Sequence, residues 1–276
     1  MRAEIIVVAL AVCLSATMIG AWLVALRTDR SGWIDAIWSF ATGGFGAAAA
    51  LIPFDDAQTS PRQLLVATLA LLWSLRLGLH IAIRAARGGD DPRYKQLREE
   101  WGGSFKHRLF WFLQIQAMAA LTLSLSIMLA AHRPAPGLNV SDWFGVTVLI
   151  LAVVGETIAD RQLAAFRSDP RNEGKVCDVG LWGISRHPNY FFEWLGWLAY
   201  AIIAIDLSGA YDRGWLALAG PSLMYWLLVH ASGIPPLEAH MLRSRGKDFR
   251  DYQRRVNAFW PGPQRAADAG KNGDIR

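Results

Sequence analysis

Residues 5–26 read IIVVALAVCLSATMIGAWLVAL, 22 consecutive residues without a charged side chain. A bilayer's hydrocarbon core, roughly 30 Å thick, is crossed by about 20 apolar residues in a helix. This run alone therefore predicts a transmembrane helix. It is longer than the apolar region of a secretory signal peptide, and no small-residue cleavage site follows it. Further runs of the same character occupy residues 33–54, 63–83, 109–131, 143–159, 190–205 and 215–233. The fifth and sixth of the seven are short, so their ends are expected in polar surroundings. The whole chain agrees: of 276 residues 53% are hydrophobic and 18% charged, where soluble domains carry about 25% charged residues. A disordered chain, a disulfide-stapled secreted domain and an ordinary soluble enzyme are excluded. Cys13 and Cys177 make neither a disulfide framework nor a metal site.

The basic residues fix an orientation. Of 28 Lys and Arg, 23 fall in the segments after the first, third, fifth and seventh runs, and four fall on the other side. Only Arg76 lies inside a run. Excess Lys and Arg mark cytoplasmic loops, so the N-terminus is expected outside and the C-terminus in the cytoplasm. The pI of about 9.5 then needs no nucleic-acid partner. After Pro235, Leu237, Met241, Phe249, Tyr252, Val256 and Phe259 alternate with basic residues, as in an interfacial helix with a closing segment. The expected fold is all-α: an integral membrane bundle of seven transmembrane helices, with cytoplasmic loops and a C-terminal interfacial helix. It forms a single domain over residues 1–262, with 263–276 as a disordered end.

Ionisable groups inside membrane spans are expensive and mark functional positions. Here they are Asp35, Arg76, His80, Glu156, Glu193 and His230, with Asp160 just beyond the fifth run. In the expected orientation all of them fall in the cytoplasmic half. A channel needs polar lining at every depth, and a transporter places its site near the midplane. The pattern instead predicts a cavity open to the cytosol, with a basic rim for an anionic soluble cofactor and an apolar floor for a lipid-like substrate. The plainer alternative is that the loops only set topology and the buried charges only pair with one another.

The densest motif is GLWGISRHPNYFFE at residues 180–193. Pro188 suits the first turn of a helix, which puts Arg186 and His187 at its positive end. Asn189 and Glu193, four apart, share a face, and the Asn189 amide suits a carboxamide or an amino group. Glu156 and Asp160 also share a face, and Arg167 lies two turns beyond Asp160; the pair suits a ribose hydroxyl and a phosphate. Arg76 and His80 stand at i and i+4 and suit a phosphate and a proton or amide. Asp35 with Trp38 forms a similar pair, a desolvated acid beside an indole. His80, His187 and His230 lack metal-ligand spacing, and no metal is expected. No P-loop or strand–helix GxGxxG is present. Residues 43–46, GGFG, read as helix-packing material.

SRHPNYFFE at 185–193, GKVCDVGLW at 174–182, DDPRY at 90–94, SGIPPLE at 232–238, and Tyr252 followed by Phe259-Trp-Pro261 together resemble the bacterial membrane family DUF1295. Through its C-terminal half that family is grouped with the steroid 5-alpha-reductases. The resemblance covers nearly the whole chain for the first family and mainly residues 155–261 for the reductases. It implies a seven-helix inner-membrane protein that binds NADPH and reduces a conjugated carbon–carbon double bond of a hydrophobic small molecule. Asp160, Arg167, Asn189 and Glu193 match the reductases' cofactor-contacting pattern, and Arg76 matches a basic residue of their third helix. With Glu156, Arg186, His187, Tyr190, His230, Glu238, Tyr252 and Arg254 they form the implied cofactor set. The reductases hold the enone oxygen with a glutamate and a tyrosine; here Trp73 stands at the tyrosine position and Asp35 is the nearest acid, leaving Asp35, His80 and Trp38 as the catalytic candidates. Membrane methyltransferases of the isoprenylcysteine or phospholipid type share the Arg-His-Pro-x-Tyr run but bind S-adenosylmethionine. A non-catalytic lipid-binding scaffold is the third reading.

Overall fold

Ser60 shows how this chain starts a helix. Its hydroxyl accepts from the Gln63 backbone N–H at 3.2 Å, the Gln63 side-chain oxygen accepts from the Ser60 N–H at 2.8 Å, and Pro61 supplies the first helical residue. Two N–H groups that no helical carbonyl reaches are thus satisfied reciprocally. In the computed structural model, which describes residues 3–53, 58–87 and 92–265, the helices are α1 (Ala3–Thr28), α2 (Trp33–Leu51), α3 (Pro61–Ala86), α4 (Pro92–Trp101), α5 (Phe105–Ala131), α6 (Val140–Ser168), α7 (Pro188–Ala204), α8 (Ala219–Trp226) and α9 (Ile234–Arg255). Among the described residues there is no strand.

Six helical stretches are long and apolar enough to cross a membrane: α1, α2, α3, Arg93–Ala131 around α5, α6, and the apolar part of Asp212–Arg255 around α8. The remaining expected run, residues 190–205, forms α7. At 17 residues it is about 25 Å long and falls short of the other six. Pro188 opens it, and it ends before Asp206, whose carboxylate accepts from the Ser208 N–H and hydroxyl. Around α8 the chain enters as a 3-10 turn, Asp212–Leu218, and leaves as a π turn, Leu227–Ala231. Part of the motif at 90–94 and all of 266–276 lie outside the described residues; Gln264 and Arg265, expected in the disordered end, are hydrogen-bonded to Arg255 and Asn257.

The described residues divide into two compact units, those up to 147 together with 198–223, and 148–197 together with 224–265. In the first, α2 packs on α3 and α5, and α1 on α5 and α2. Leu14, Met18, Leu109 and Leu113 are buried among these helices. The glycines of 43–46 serve close packing: a Cβ on Gly43 would lie 2.2 Å from Ser74 Cβ, and one on Gly46 2.6 Å from Ile127 Cδ1. Hydroxyls tie the same surfaces, Ser74 to the Ser39 carbonyl at 3.0 Å and Ser124 to the Thr42 carbonyl at 3.2 Å.

The first unit also buries charge where the sequence predicts none. Arg62 at the start of α3, Arg133 just past α5 and Asp142 at the start of α6 are 2%, 5% and 0% exposed. Arg62 grips Asp142 through two bonds of 2.8 Å and donates to the Arg133 and Gly137 carbonyls; Arg133 reaches the same carboxylate at 3.1 Å. These three lie at or just beyond helix ends, outside the expected apolar runs, while α3 and α6 carry Arg76, His80, Glu156 and Asp160 toward their opposite ends. The pairing makes burial tolerable, because one carboxylate serves two guanidinium groups, and backbone carbonyls together with the Ser141 hydroxyl and the Asn139 side chain take other donors.

In the second unit α6 and α7 approach closely at Gly155, whose added Cβ would lie 2.3 Å from the Phe192 ring. α9 bends at Gly246, which adopts φ 52°, ψ −115°, a left-handed backbone that other residues avoid. Beyond the bend Phe249, Tyr252 and Val256 turn inward against Val176, Met241 and Leu242.

Candidate functional site

The motif at 180–193 folds as a clasp on the C-terminal segment. Gly180–Gly183 forms a 3-10 turn; Trp182 Nε1 donates to the Ala159 carbonyl at 2.9 Å and the Leu181 N–H to Gln162 at 2.9 Å, docking the turn on α6. Ser185 Oγ donates to the Phe259 carbonyl at 3.0 Å, and the Tyr252 hydroxyl donates to the Trp182 carbonyl at 2.5 Å. Arg186 then spends its guanidinium on protein. Nε and Nη2 meet the two Glu238 carboxylate oxygens at 2.7 and 3.1 Å, and Nη1 reaches the Gln253 and Val256 carbonyls at 3.1 and 2.5 Å. A bidentate pair of this kind is among the stronger ionic contacts. Sequence alone offered Arg186 as a phosphate ligand; its four bonds here instead bind α9 and the closing segment to the start of α7.

His187, 3% exposed, completes the centre. Its Nε2 lies 3.0 Å from Glu238 and its ring stacks on Tyr190 at 5.5 Å and 11°. Burial works against ionisation of Glu238, but hydrogen bonds from His187, Arg186 and Gln253 outweigh it and bring its pKa down to about 2. The carboxylate is therefore acceptor only, so Nε2 carries the imidazole proton. Burial lowers the His187 pKa below its usual value, with the Glu238 hydrogen bond pulling the other way. A neutral ring protonated on Nε2 leaves an acceptor lone pair on Nδ1, and this buried atom has no partner. It is suited to a ligand N–H or O–H. The same environment pushes the Tyr252 hydroxyl up, chiefly by burial.

Glu156 on α6 and Glu193 on α7 are both buried, at 6% exposure, and Glu193 accepts from Trp197 Nε1 at 2.9 Å. Asn189 is half-buried, Asp160 is half-buried on α6, and Arg167 is exposed in its last turn. His230 is exposed in the π turn, with its ring edge-on to Tyr225 at 5.8 Å. Arg254 is exposed on α9 and pairs with Asp251. All these residues belong to the second unit; Asp35, Trp38, Arg76 and His80 belong to the first.

In the first unit Asp35 is ion-paired with Arg93 and accepts from the Tyr94 hydroxyl at 3.0 Å. That hydroxyl in turn lies 3.4 Å from the Gln116 amide nitrogen, and Trp38 Nε1 donates to the Gln116 carbonyl at 2.9 Å. Tyr94 is 3% exposed. Tyr94 was not singled out by sequence as a site residue. The signal for Tyr94 was present in the motif at 90–94, but its partner lies 59 residues away. Trp73, at the expected tyrosine position, is buried in α3, Arg76 is half-buried, and His80 is exposed.

A family model described as a protein of unknown function, DUF1295, matches residues 21–256. The chain belongs to this family. An uncharacterised protein of Schizosaccharomyces pombe, C594.04c, is 24% identical over 274 residues, covering 87% of this chain and 75% of the relative. No solved structure matches.

Proposed function

We propose that this DUF1295 protein is an NADPH-dependent reductase of a bacterial inner membrane, saturating the conjugated double bond of a lipid-like enone. The proposal includes α7 as a seventh crossing, an outer N-terminus, a cytoplasmic C-terminus and α9 at the interface. The observation that carries it is the Asp35–Tyr94 pair, a carboxylate and a phenol joined in a buried setting with a glutamine amide beside them. Such a pair suits a ketone oxygen. Tyr94 turns its hydroxyl from Asp35 to the carbonyl, and that preorganised donor stabilises the enolate charge that develops there. Arg93 holds Asp35 in place.

The second unit fits the cofactor's polar end. The orphaned Nδ1 of His187 accepts an N–H, such as that of a carboxamide. Asn189 adds amide donors, and Arg167 in the last turn of α6 brings a positive charge suited to phosphate. When bound, NADPH would supply a hydride to the β-carbon of the enone, and a proton from solvent at the α-carbon would complete the reduction. Arg186 is left out of the phosphate set because Glu238 and two carbonyls occupy it. That occupancy removes one cation and is the observation favouring the second reading, an S-adenosylmethionine-dependent membrane methyltransferase.

The test is to purify the protein in detergent, denature it and identify the released small molecule by mass. NADP(H) supports the reductase, and adenosylmethionine or its demethylated product supports the methyltransferase. If neither appears after saturation with both, the protein is a lipid-binding scaffold and the reductase reading fails.

A further inference from the structure

Beyond the Gly246 bend, α9 turns one face outward, and that face is basic. Lys247, Arg250 and Arg254 stand at i, i+3 and i+7, one stripe of the helix, opposite the buried Phe249, Tyr252 and Val256. They line a cleft of about 480 Å³ together with Asp251, Gln253 and Arg265. Arg265 is brought there by the closing segment: its backbone N–H bonds the Arg255 carbonyl at 2.9 Å and its guanidinium bonds Asn257 at 3.0 Å. Four cations thus face one carboxylate, Asp251, which is paired with Arg254. Gln253 is held from beneath by Glu238 at 2.7 Å, so the floor of the cleft is fixed to the Arg186 clasp.

Gathering a fourth cation raises mutual repulsion, and neither hydrogen bond of Arg265 relieves it. The arrangement becomes favourable once an anion with several acceptor oxygens sits among the cations. The geometry points to a phosphate-binding site in this cleft, taking the phosphoryl group of an anionic phospholipid headgroup or of a soluble phosphorylated ligand. The site rests on the charges of α9 and the closing segment; it shares only Arg254 with the implied cofactor set, so the test varies Lys247 and Arg250, which lie outside that set.

The full chain is titrated with inorganic pyrophosphate in neutral detergent. Its unfolding midpoint is also measured in phosphatidylcholine nanodiscs with and without phosphatidylglycerol. The double variant Lys247→Gln, Arg250→Gln removes two exposed cations, and Lys175→Gln, on the loop after α6, is the charge control. A cation near an anionic surface contributes enough that losing two weakens binding roughly 30-fold. Pyrophosphate binding that falls in the double variant but not in the control supports the site with a soluble ligand. A phosphatidylglycerol-dependent rise in midpoint that is lost in the double variant alone supports it with a lipid ligand. If neither probe binds, or if the control loses as much as the double variant, the site is refuted.

Discussion

The Arg186–Glu238 pair is the joint on which the second unit closes, and a double-mutant cycle measures it. Glu238→Leu removes the acceptor of four hydrogen bonds, two from Arg186 and one each from His187 and Gln253. It leaves a guanidinium only 11% exposed without its counter-charge. Removing one partner of a buried pair costs about 3–5 kcal/mol. Arg186→Met leaves Glu238 with His187 and Gln253 but strands the Gln253 and Val256 carbonyls, a loss of about 1–3 kcal/mol for each buried group left unsatisfied. In the double variant the stranded charge is gone, so the two losses do not add. Groups in one network couple by about 0.5–3 kcal/mol, and this pair is expected near the upper end. The assay is unfolding by sodium dodecyl sulfate titration in mixed micelles, followed by far-ultraviolet circular dichroism. Additivity within about 0.5 kcal/mol would refute the reasoning, because it would mean that Arg186 and Glu238 do not depend on each other in the folded state.

Stability should fall with acid. The folded pKa of Glu238, about 2, lies below its ordinary 4.5, so its contribution is complete above pH 4.5 and drains away as the pH falls toward 2. His187, held below 6.5, loses stabilising effect as the pH drops under 6.5, and a melting midpoint that stays flat from pH 8 to 3 contradicts both. Gly155→Ala drives a methyl group to within 2.3 Å of the Phe192 ring and should cost about 1–3 kcal/mol; the companion change Phe192→Ala should recover part of that loss in the same titration. Tyr94→Phe keeps the ring and deletes the hydroxyl between Asp35 and Gln116. If that hydroxyl holds an enone oxygen, enone reduction falls about 100-fold or more while stability changes by only about 1 kcal/mol, and unaltered turnover removes Tyr94 from the mechanism.

What the sequence made legible was set by chain-local physics. The uncharged run at 5–26 announces α1, because the signal lies within the element it makes. The glycines at 43 and 46 announce close packing for the same reason. The extent of α7 was legible too: the short run at 190–205 becomes Pro188–Ala204, opened by Pro188 and followed by the turn at Asp206–Ser208. The contacts that organise the sites were illegible. Arg186 finds Glu238 across 52 residues, Asp35 finds Tyr94 across 59, and Arg62 finds Asp142 across 80. A lone arginine beside a helix start reads as an anion ligand until its acceptor is seen, and Arg62 and Arg133 read as loop charges until one carboxylate draws both inside.

That last cluster has a consequence for how the protein is made. Arg62 leaves the ribosome 80 residues ahead of Asp142, and Arg133 nine residues ahead of it. At about 5–20 residues per second the first arginine waits roughly 4–16 s for its counter-charge. Until then, closing the Arg62 end of α3 onto the Arg133 end of α5 would bury two positive groups against each other. Asp142 arrives at the start of α6 and makes that closure favourable. The order of synthesis thus puts both cations ahead of the single carboxylate that pairs them, and the pairing at this end of the first unit waits for the start of α6.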